Sequence, residues 1–342
     1  MSFIHISKEN YFYNLGKVLE KVENIEQIAV VLKDNAYGHG IENIAKLAQE
    51  FGITRAVVRK VSEANIIEKY FDYILILAPE TIEEKSNFFY TINSIHDIYK
   101  YGKNINVELK IDTGMHRLGI SPFDFSFALN IIRNRGMRLR GFFTHFREAD
   151  EVGSTLYTQQ SLFNSLTENV IDSCFNDLNI HSKNSSAVFR TNSIIKNEMV
   201  RVGIASYGYL SGDKALLFPQ LKPVLSLWAE KVGELKHIKK SFRIGYGGIS
   251  KAGENRKISV YDIGYADGFK RLPNKLIQNE SFQTSKGYKI LGKVSMDSIM
   301  INSSSESVEI FNSASELARI FQTIEYEILT SLASSIPRII ET

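Results

Sequence analysis

The sequence predicts a (β/α)8 TIM-like barrel followed by a mostly β C-terminal domain. Three observations lead there. Short β-branched runs alternate with amphipathic stretches over residues 1–218. There are about eight such runs, the number that closes a parallel barrel. From 219 to 342 strand-like runs continue without helices between them, except for one late helix.

The barrel runs are QIAVVLK (27–33), RAVVRK (55–60), YILILAP (73–79), FYTIN (89–93), INVELKID (105–112), LRGFFTHF (139–146), LNIHSKNSS (178–186) and MVRVGI (199–204). Between them lie helical patterns such as IENIAKLAQEFG (41–52) and QSLFNSLTENVIDSCFNDL (160–178). In the second domain SLWAEKVGELKHI (226–238), RKISVYDIG (256–264), GYKILGKVSM (287–296) and SIMINSS (298–304) read as strands, and SASELARIFQTI (313–324) as the helix. FIHIS (3–7) precedes the barrel rhythm and is open to pairing with the second domain.

Composition narrows the function. At 342 residues the chain exceeds one ordinary core. With 44% hydrophobic and 23% charged residues it is neither disordered nor fibrous. A net charge of +3 makes no case for nucleic acid or an anionic membrane. The one cysteine, Cys174, excludes an intrachain disulfide and a Cys-rich metal site; no metal is expected. The N-terminus lacks a signal-peptide pattern and no apolar run approaches the ~20 residues of a membrane span, so the expected location is cytoplasmic.

Barrel chemistry sits at the C-terminal ends of the strands. Those ends read Lys33, Asn93, Lys110 to Arg117, His145, Asn184-Ser185-Ser186 and Arg201 to Ile204. A lysine ending an apolar strand is ordinarily a solvated cation. In a desolvated barrel mouth it is instead a nucleophilic amine suited to a Schiff base. Tyr37, Gly38 and Gly40 follow, a phenol and two residues that permit close backbone approach.

The stretch VLKDNAYGHG (31–40) resembles the pyridoxal 5'-phosphate (PLP) lysine motif of the alanine racemase family. The resemblance continues in order through KIDTGMHRLGI (110–120), THF (144–146), NSSA (184–187), RVGIASYG (201–208), IGYGG (244–248), IGYADG (263–268), GKVSMD (292–297) and TIEYEI (323–328). It covers nearly the whole chain. It implies PLP as cofactor, held by Lys33. It also implies a two-base interconversion of L- and D-alanine, with Lys33 and Tyr246 on opposite faces, supplying D-alanine for peptidoglycan.

The same resemblance assigns supporting roles. His145 and Arg201 are the cationic neighbours of Tyr246, and Arg201 also donates to the pyridine nitrogen. Tyr37, Ser185, Gly203, Ile204 and Tyr326 hold the phosphate. Arg117 and the Met296 backbone N–H take the substrate carboxylate. Asp297 belongs to the same segment as Met296, and it and Tyr265 line the entrance. Lys110 matches a lysine carbamylated in many members; an unmodified lysine paired with Asp112 or Glu108 is the alternative. A homodimer with composite sites is implied, although the chain order suits a folded-back monomer equally.

Some residues depart from the family pattern: Asp34 after the lysine, His116 before Arg117, and Ile249-Ser250 after the YGG motif. They leave the substrate range open to serine or another amino acid. A decarboxylase of the same fold is a rival, weakened because 219–342 holds no cysteine. A PLP carrier without turnover is another, weakened by the presence of the β domain and Tyr246.

Overall fold

The computed structural model describes residues 1–174, 178–191, 198–210, 212–213, 215–236, 239–254 and 256–341. Two compact units make up the chain. One comprises Tyr11–Ala36 and Ile41–Lys222; the other comprises Met1–Asn10, Tyr37–Gly40 and Pro223–Thr342.

The first unit is a parallel barrel. Its strands are Ile28–Val31, Arg55–Val58, Tyr73–Ile76, Phe88–Ile92, Asn106–Lys110, Arg138–Phe143, Asn179–His181 and Val200–Val202. Each pairs in parallel with its successor up to Asn179–His181, and Val200–Val202 lies beside Ile28–Val31. The two ends of the sheet meet through a parallel bridge, Ile180 to Glu198. All eight runs read from the sequence therefore carry a strand. Ile28–Val31, Tyr73–Ile76 and Asn106–Lys110 are buried along their whole length, as parallel strands covered on both faces must be. Helix Ile41–Phe51 covers the sheet through Ile41, Ile44, Ala45, Leu47 and Ala48, an i, i+3, i+4 stripe.

One run ends earlier than its composition suggests. The strand in 178–186 stops at His181, because the Asn184 side chain accepts from the Ala187 N–H at 3.0 Å and opens helix Ser185–Arg190. The helix read over 160–178 spans Thr155–Cys174, and 175–177 lie outside the described residues.

The second unit is built on a seven-stranded sheet. Its order is Ile290–Leu291, Ile299–Ile301, Ser259–Tyr261, Leu225–Glu234, Phe3–Ser7 and Arg338–Glu341, with Ser307–Phe311 also on Leu225–Glu234. Phe3–Ser7 runs antiparallel to Leu225–Glu234 and parallel to Arg338–Glu341. The far end of the run read over 226–238, residues 237 and 238, lies outside the described residues. Where the sequence suggested one helix over 313–324, the chain forms Ala314–Phe321 and Glu325–Thr330. Gln322 turns left-handed (φ 53°) and ends the first of them. A short helix, Asn274–Gln278, was also not read from the sequence. Among the described residues no helix is long and apolar enough to cross a membrane.

Candidate active site

Lys33 lies two residues past the first barrel strand, and the chain then turns left-handed. Asp34 (φ 53°, ψ 54°), Asn35 (φ 55°, ψ 45°) and Ala36 (φ 51°, ψ 51°) are successive non-glycine residues in a region costing about 1–2 kcal/mol each. Hydrogen bonds offset that cost. The Asp34 N–H donates to the Glu63 carboxylate at 2.6 Å, Ala36 N–H to Leu32 O at 2.8 Å, and Ile41 N–H to Asn35 Oδ1 at 2.9 Å. Glu63 also accepts from the Arg59 and Lys60 N–H groups, at 2.8 and 3.2 Å. Asp34, one of the departures, faces Arg59 across 3.6 Å. Strain of this kind collects at functional sites, and the half-buried Lys33 heads this turn.

Around it the barrel gathers positive charge. Lys110, the last residue of its strand, is 8% exposed. Burial, followed by the charges of Arg117 and Arg201, brings its pKa down to about 8; Asp112 opposes this and Lys33 adds to it. His145 is pushed down to about 3, by burial first and then by Arg201, Arg117, Lys110 and Lys33. The ring is thus a neutral imidazole near pH 7, not the cation expected from the sequence. Arg201 is brought down to about 10 by burial, which still leaves it charged. Its guanidinium donates to His181 Nδ1 at 2.5 Å, His181 O at 2.9 Å and Thr144 O at 2.7 Å. Arg117 is exposed, on a loop in which Asp112 Oδ1 accepts from the Gly114 and His116 N–H groups, both at 3.0 Å. Glu108, considered above as a partner for Lys110, is instead bound to His181, Tyr73 and Asn179.

Ser185 supplies a different environment. Its Oγ accepts from the Gly203 N–H at 3.1 Å and the Ala205 N–H at 3.3 Å, on either side of Ile204. With its oxygen accepting from these two amides, the Ser185 hydroxyl hydrogen is left to donate, a neutral donor of the kind a phosphate monoester takes.

The remaining candidates belong to the β unit. The Tyr37 and Tyr326 rings lie 5.6 Å apart. Gly38 O accepts from Arg338 Nε and Nη2 at 3.2 and 3.1 Å. Tyr246 stands between the short paired strands Arg243–Ile244 and Ser250–Lys251, on a turn whose Gly245, Gly247 and Gly248 all have positive φ. It is 63% exposed, Met296 is 54% exposed and Tyr265 is 41% exposed; Asp297 is exposed too. Met296 O accepts from the Ala266 N–H at 3.0 Å, and a Cβ on Gly264 would fall 2.0 Å from that oxygen. Only glycine permits this approach, which holds the Tyr265 and Met296 segments together. Arg271, which sequence reading missed, has its guanidinium 5.9 Å from the Tyr246 ring and 5.3 Å from the Tyr265 ring. Its Nε donates to Val294 O at 3.0 Å.

The chain's relatives bear on this geometry. The family model "Alanine racemase, N-terminal domain" matches residues 6–211, and "Alanine racemase, C-terminal domain" matches 225–340. The chain belongs to the alanine racemase family. An alanine racemase of Campylobacter concisus is 41% identical over 344 residues, covering 99% of each chain. One of a Nitratiruptor species is 39% identical over 343 residues, again covering 99% of each. Among solved structures, the alanine racemase of Bacillus anthracis with bound L-Ala-P matches with a TM-score of 0.85 at 27% identity, covering 100% of this chain and 95% of that one. The barrel and β domain are thus the alanine racemase fold. In its barrel unit Lys33, Lys110, Arg117, His145 and Arg201 act on one another electrostatically, while Ser185 and Gly203 are bonded together. In the β unit Tyr246, Tyr265 and Met296 are held near one another by Arg271 and Gly264. His181, Glu108 and Arg271 carry no motif signal. Only HSKNSS, a polar end to a barrel strand, hinted at the first of them.

Proposed function

We propose that this chain is a PLP-dependent alanine racemase that interconverts L- and D-alanine. The observation carrying the proposal is the charge field at the barrel mouth. A half-buried lysine on a left-handed turn lies among Lys110, Arg117 and Arg201, cations whose charges all reach the same buried His145. Such a field suits two anions, a phosphate ester and an amino-acid carboxylate.

The residues fit the coenzyme. Lys33 would hold its aldehyde carbon. Ser185 Oγ with the Gly203 and Ile204 amides would take the phosphate, joined by the Tyr37 and Tyr326 hydroxyls. When bound, PLP disperses the negative charge left by removal of the Cα proton. The Lys33 amine would move that proton on one face and the Tyr246 phenol on the other. Arg201 would face the ring nitrogen and, being charged, would disfavour a proton there. A neutral His145 would pass a hydrogen bond toward Tyr246. Arg117 and the Met296 N–H orient the carboxylate, with Asp297 adjoining them and Tyr265 at the entrance. Lys110, with its lowered pKa, has an appreciable uncharged fraction near pH 7.5, the form that carbon dioxide carbamylates. The resulting anion would orient Arg117.

Tyr246, Tyr265 and Met296 are large side chains left exposed together, as residues awaiting a partner surface are. We take the partner to be a second copy of this chain, giving a homodimer with composite sites. The product would serve peptidoglycan synthesis in the cytoplasm. Serine and larger amino acids are the alternative substrates, and a decarboxylase is disfavoured by family membership.

A panel of L-amino acids with chiral product analysis tests the reaction, and borohydride reduction with peptide mapping tests Lys33. Tyr246→Phe is expected to slow Cα exchange from L-alanine far more than from D-alanine. Carbon dioxide release, or equal small losses in both directions, would overturn the reading.

A further inference from the structure

Behind Arg201 lies a buried chain of hydrogen bonds to which no role has been given. Arg201 Nη1 donates to His181 Nδ1 at 2.5 Å, and His181 Nε2 is 2.6 Å from Glu108 Oε2. Both His181 and Glu108 are fully buried. Phe143 stacks on the imidazole with centroids 4.8 Å apart and planes 8° from parallel.

The donor inventory leaves one protonation pattern. A guanidinium only donates, so Nδ1 must offer its lone pair. A doubly protonated ring would set N–H against N–H. The single proton is therefore on Nε2 and points at Glu108. The other Glu108 oxygen is also committed: Oε1 accepts from Tyr73 OH at 2.7 Å and from Asn179 Nδ2 at 3.2 Å. Asn179 cannot be reversed, because Arg55 Nη1 donates to its Oδ1 at 2.9 Å. Even the room for the carboxylate is specified, since a Cβ on Gly141 would lie 2.9 Å from Glu108 Oε1.

We infer that Glu108 is a positioning residue: it locks His181 as the Nε2–H tautomer, so that Nδ1 receives Arg201 and holds the guanidinium where it meets the coenzyme ring. This deepens the reading of Arg201 proposed above and rests on it. Through a neutral imidazole, the carboxylate also supplies the compensating charge for a cation buried in the barrel.

Glu108→Gln is the informative change, because it keeps shape and reverses one bond. Tyr73 and Asn179 both donate to the Oε1 position, so the glutamine carbonyl must sit there. Its NH2 then faces His181 Nε2 and forces the ring proton to Nδ1, against Arg201.

The test uses the full chain purified with its coenzyme and carrying 15N-labelled histidine. Long-range proton–nitrogen correlation reads the His181 tautomer, assigned with a His181→Gln variant. Steady-state kinetics are measured alongside. The expected result is an Nε2–H ring in the wild type, lost in Glu108→Gln. kcat should fall at least about tenfold, the scale on which outer partners of a functional side chain act, while KM for alanine moves less than about threefold. Glu108→Asp, which retains the carboxylate, should lose less. A wild-type ring that is Nδ1–H or doubly protonated overturns the inference, as does unchanged kcat in Glu108→Gln. If Glu108→Gln does not fold, the wild-type tautomer and Glu108→Asp still decide. A wild type that racemises nothing refutes the proposed function; a wrong tautomer in an active enzyme refutes only the role of Glu108.

Discussion

Replacing Lys110 by methionine removes a charge and little volume, and the sign of the effect reveals the chemical state of the lysine. The ammonium form is disfavoured in the fold, with its pKa down from 10.5 to about 8. At ~1.4 kcal/mol per pH unit this is at most about 3.5 kcal/mol, and screening at the barrel mouth leaves about 1–3. The direction with pH follows from proton binding. The folded value is the lower one, so the unfolded chain holds more protons between pH 8 and 10.5. Stability from this residue rises with pH across that window, and the full penalty applies below pH 8. In carbon-dioxide-free buffer at about pH 6.5, Lys110→Met is therefore expected to melt about 2–12 °C higher than the wild type, at about 2–4 °C per kcal/mol for a unit of some 200 residues. Bicarbonate at about pH 8 should raise the melting temperature of the wild type and leave Lys110→Met unmoved, because a carbamate replaces repulsion toward Arg117 and Arg201 with attraction. Differential scanning calorimetry reads both. A Lys110→Met protein that melts lower than the wild type in the acidic, carbon-dioxide-free buffer would refute the reasoning.

Other residues give independent tests. Glu198 pairs with Lys183, 2% and 3% exposed, and also accepts from Ser182 Oγ; Glu198→Ala should cost about 3–5 kcal/mol in urea unfolding, with Glu198→Met/Lys183→Met recovering most of it. Gly38 has φ 82°, and a Cβ there would fall 2.1 Å from Leu329 O. Gly38→Ala should thus lose at least about 2 kcal/mol, seen as a lower urea midpoint. The folded pKa of His145, about 3, lies below its ordinary 6.5, so the stability it contributes at neutral pH is lost as pH falls from 6.5 toward 3. His145→Asn should flatten the drop in urea midpoint between about pH 7 and about pH 4.5.

The barrel was legible because each strand is a short apolar run fenced by helical spacing, and burial on both faces leaves no other reading for IAVV or YILI. The place of Lys33, just past the first barrel strand, was legible in the run QIAVVLK. The left-handed turn after it was not: Asp34 and Asn35 tolerate positive φ but do not require it, Ala36 disfavours it, and the group that receives Asp34 N–H, Glu63, lies in another βα unit. Glu108 and His181 were hidden for a related reason. Their partners come from different strands, so the network exists only once the barrel brings Tyr73, Glu108, Asn179 and His181 together. The charge of His145 was misjudged because a histidine motif says nothing of the four cations that surround it in the fold. Tyr246 was legible as a residue, but not its company, since Arg271 reaches it from a separate loop.

Strand Phe3–Ser7 is held by Leu225–Glu234 and Arg338–Glu341, both made long after it. On the ribosome the barrel segment emerges whole while that first strand still lacks both neighbours. It must wait, through most of translation, for a sheet that only distant downstream residues can complete. Nascent chains stalled before Leu225–Glu234 has emerged would therefore carry a barrel segment and a dangling leader sensitive to protease.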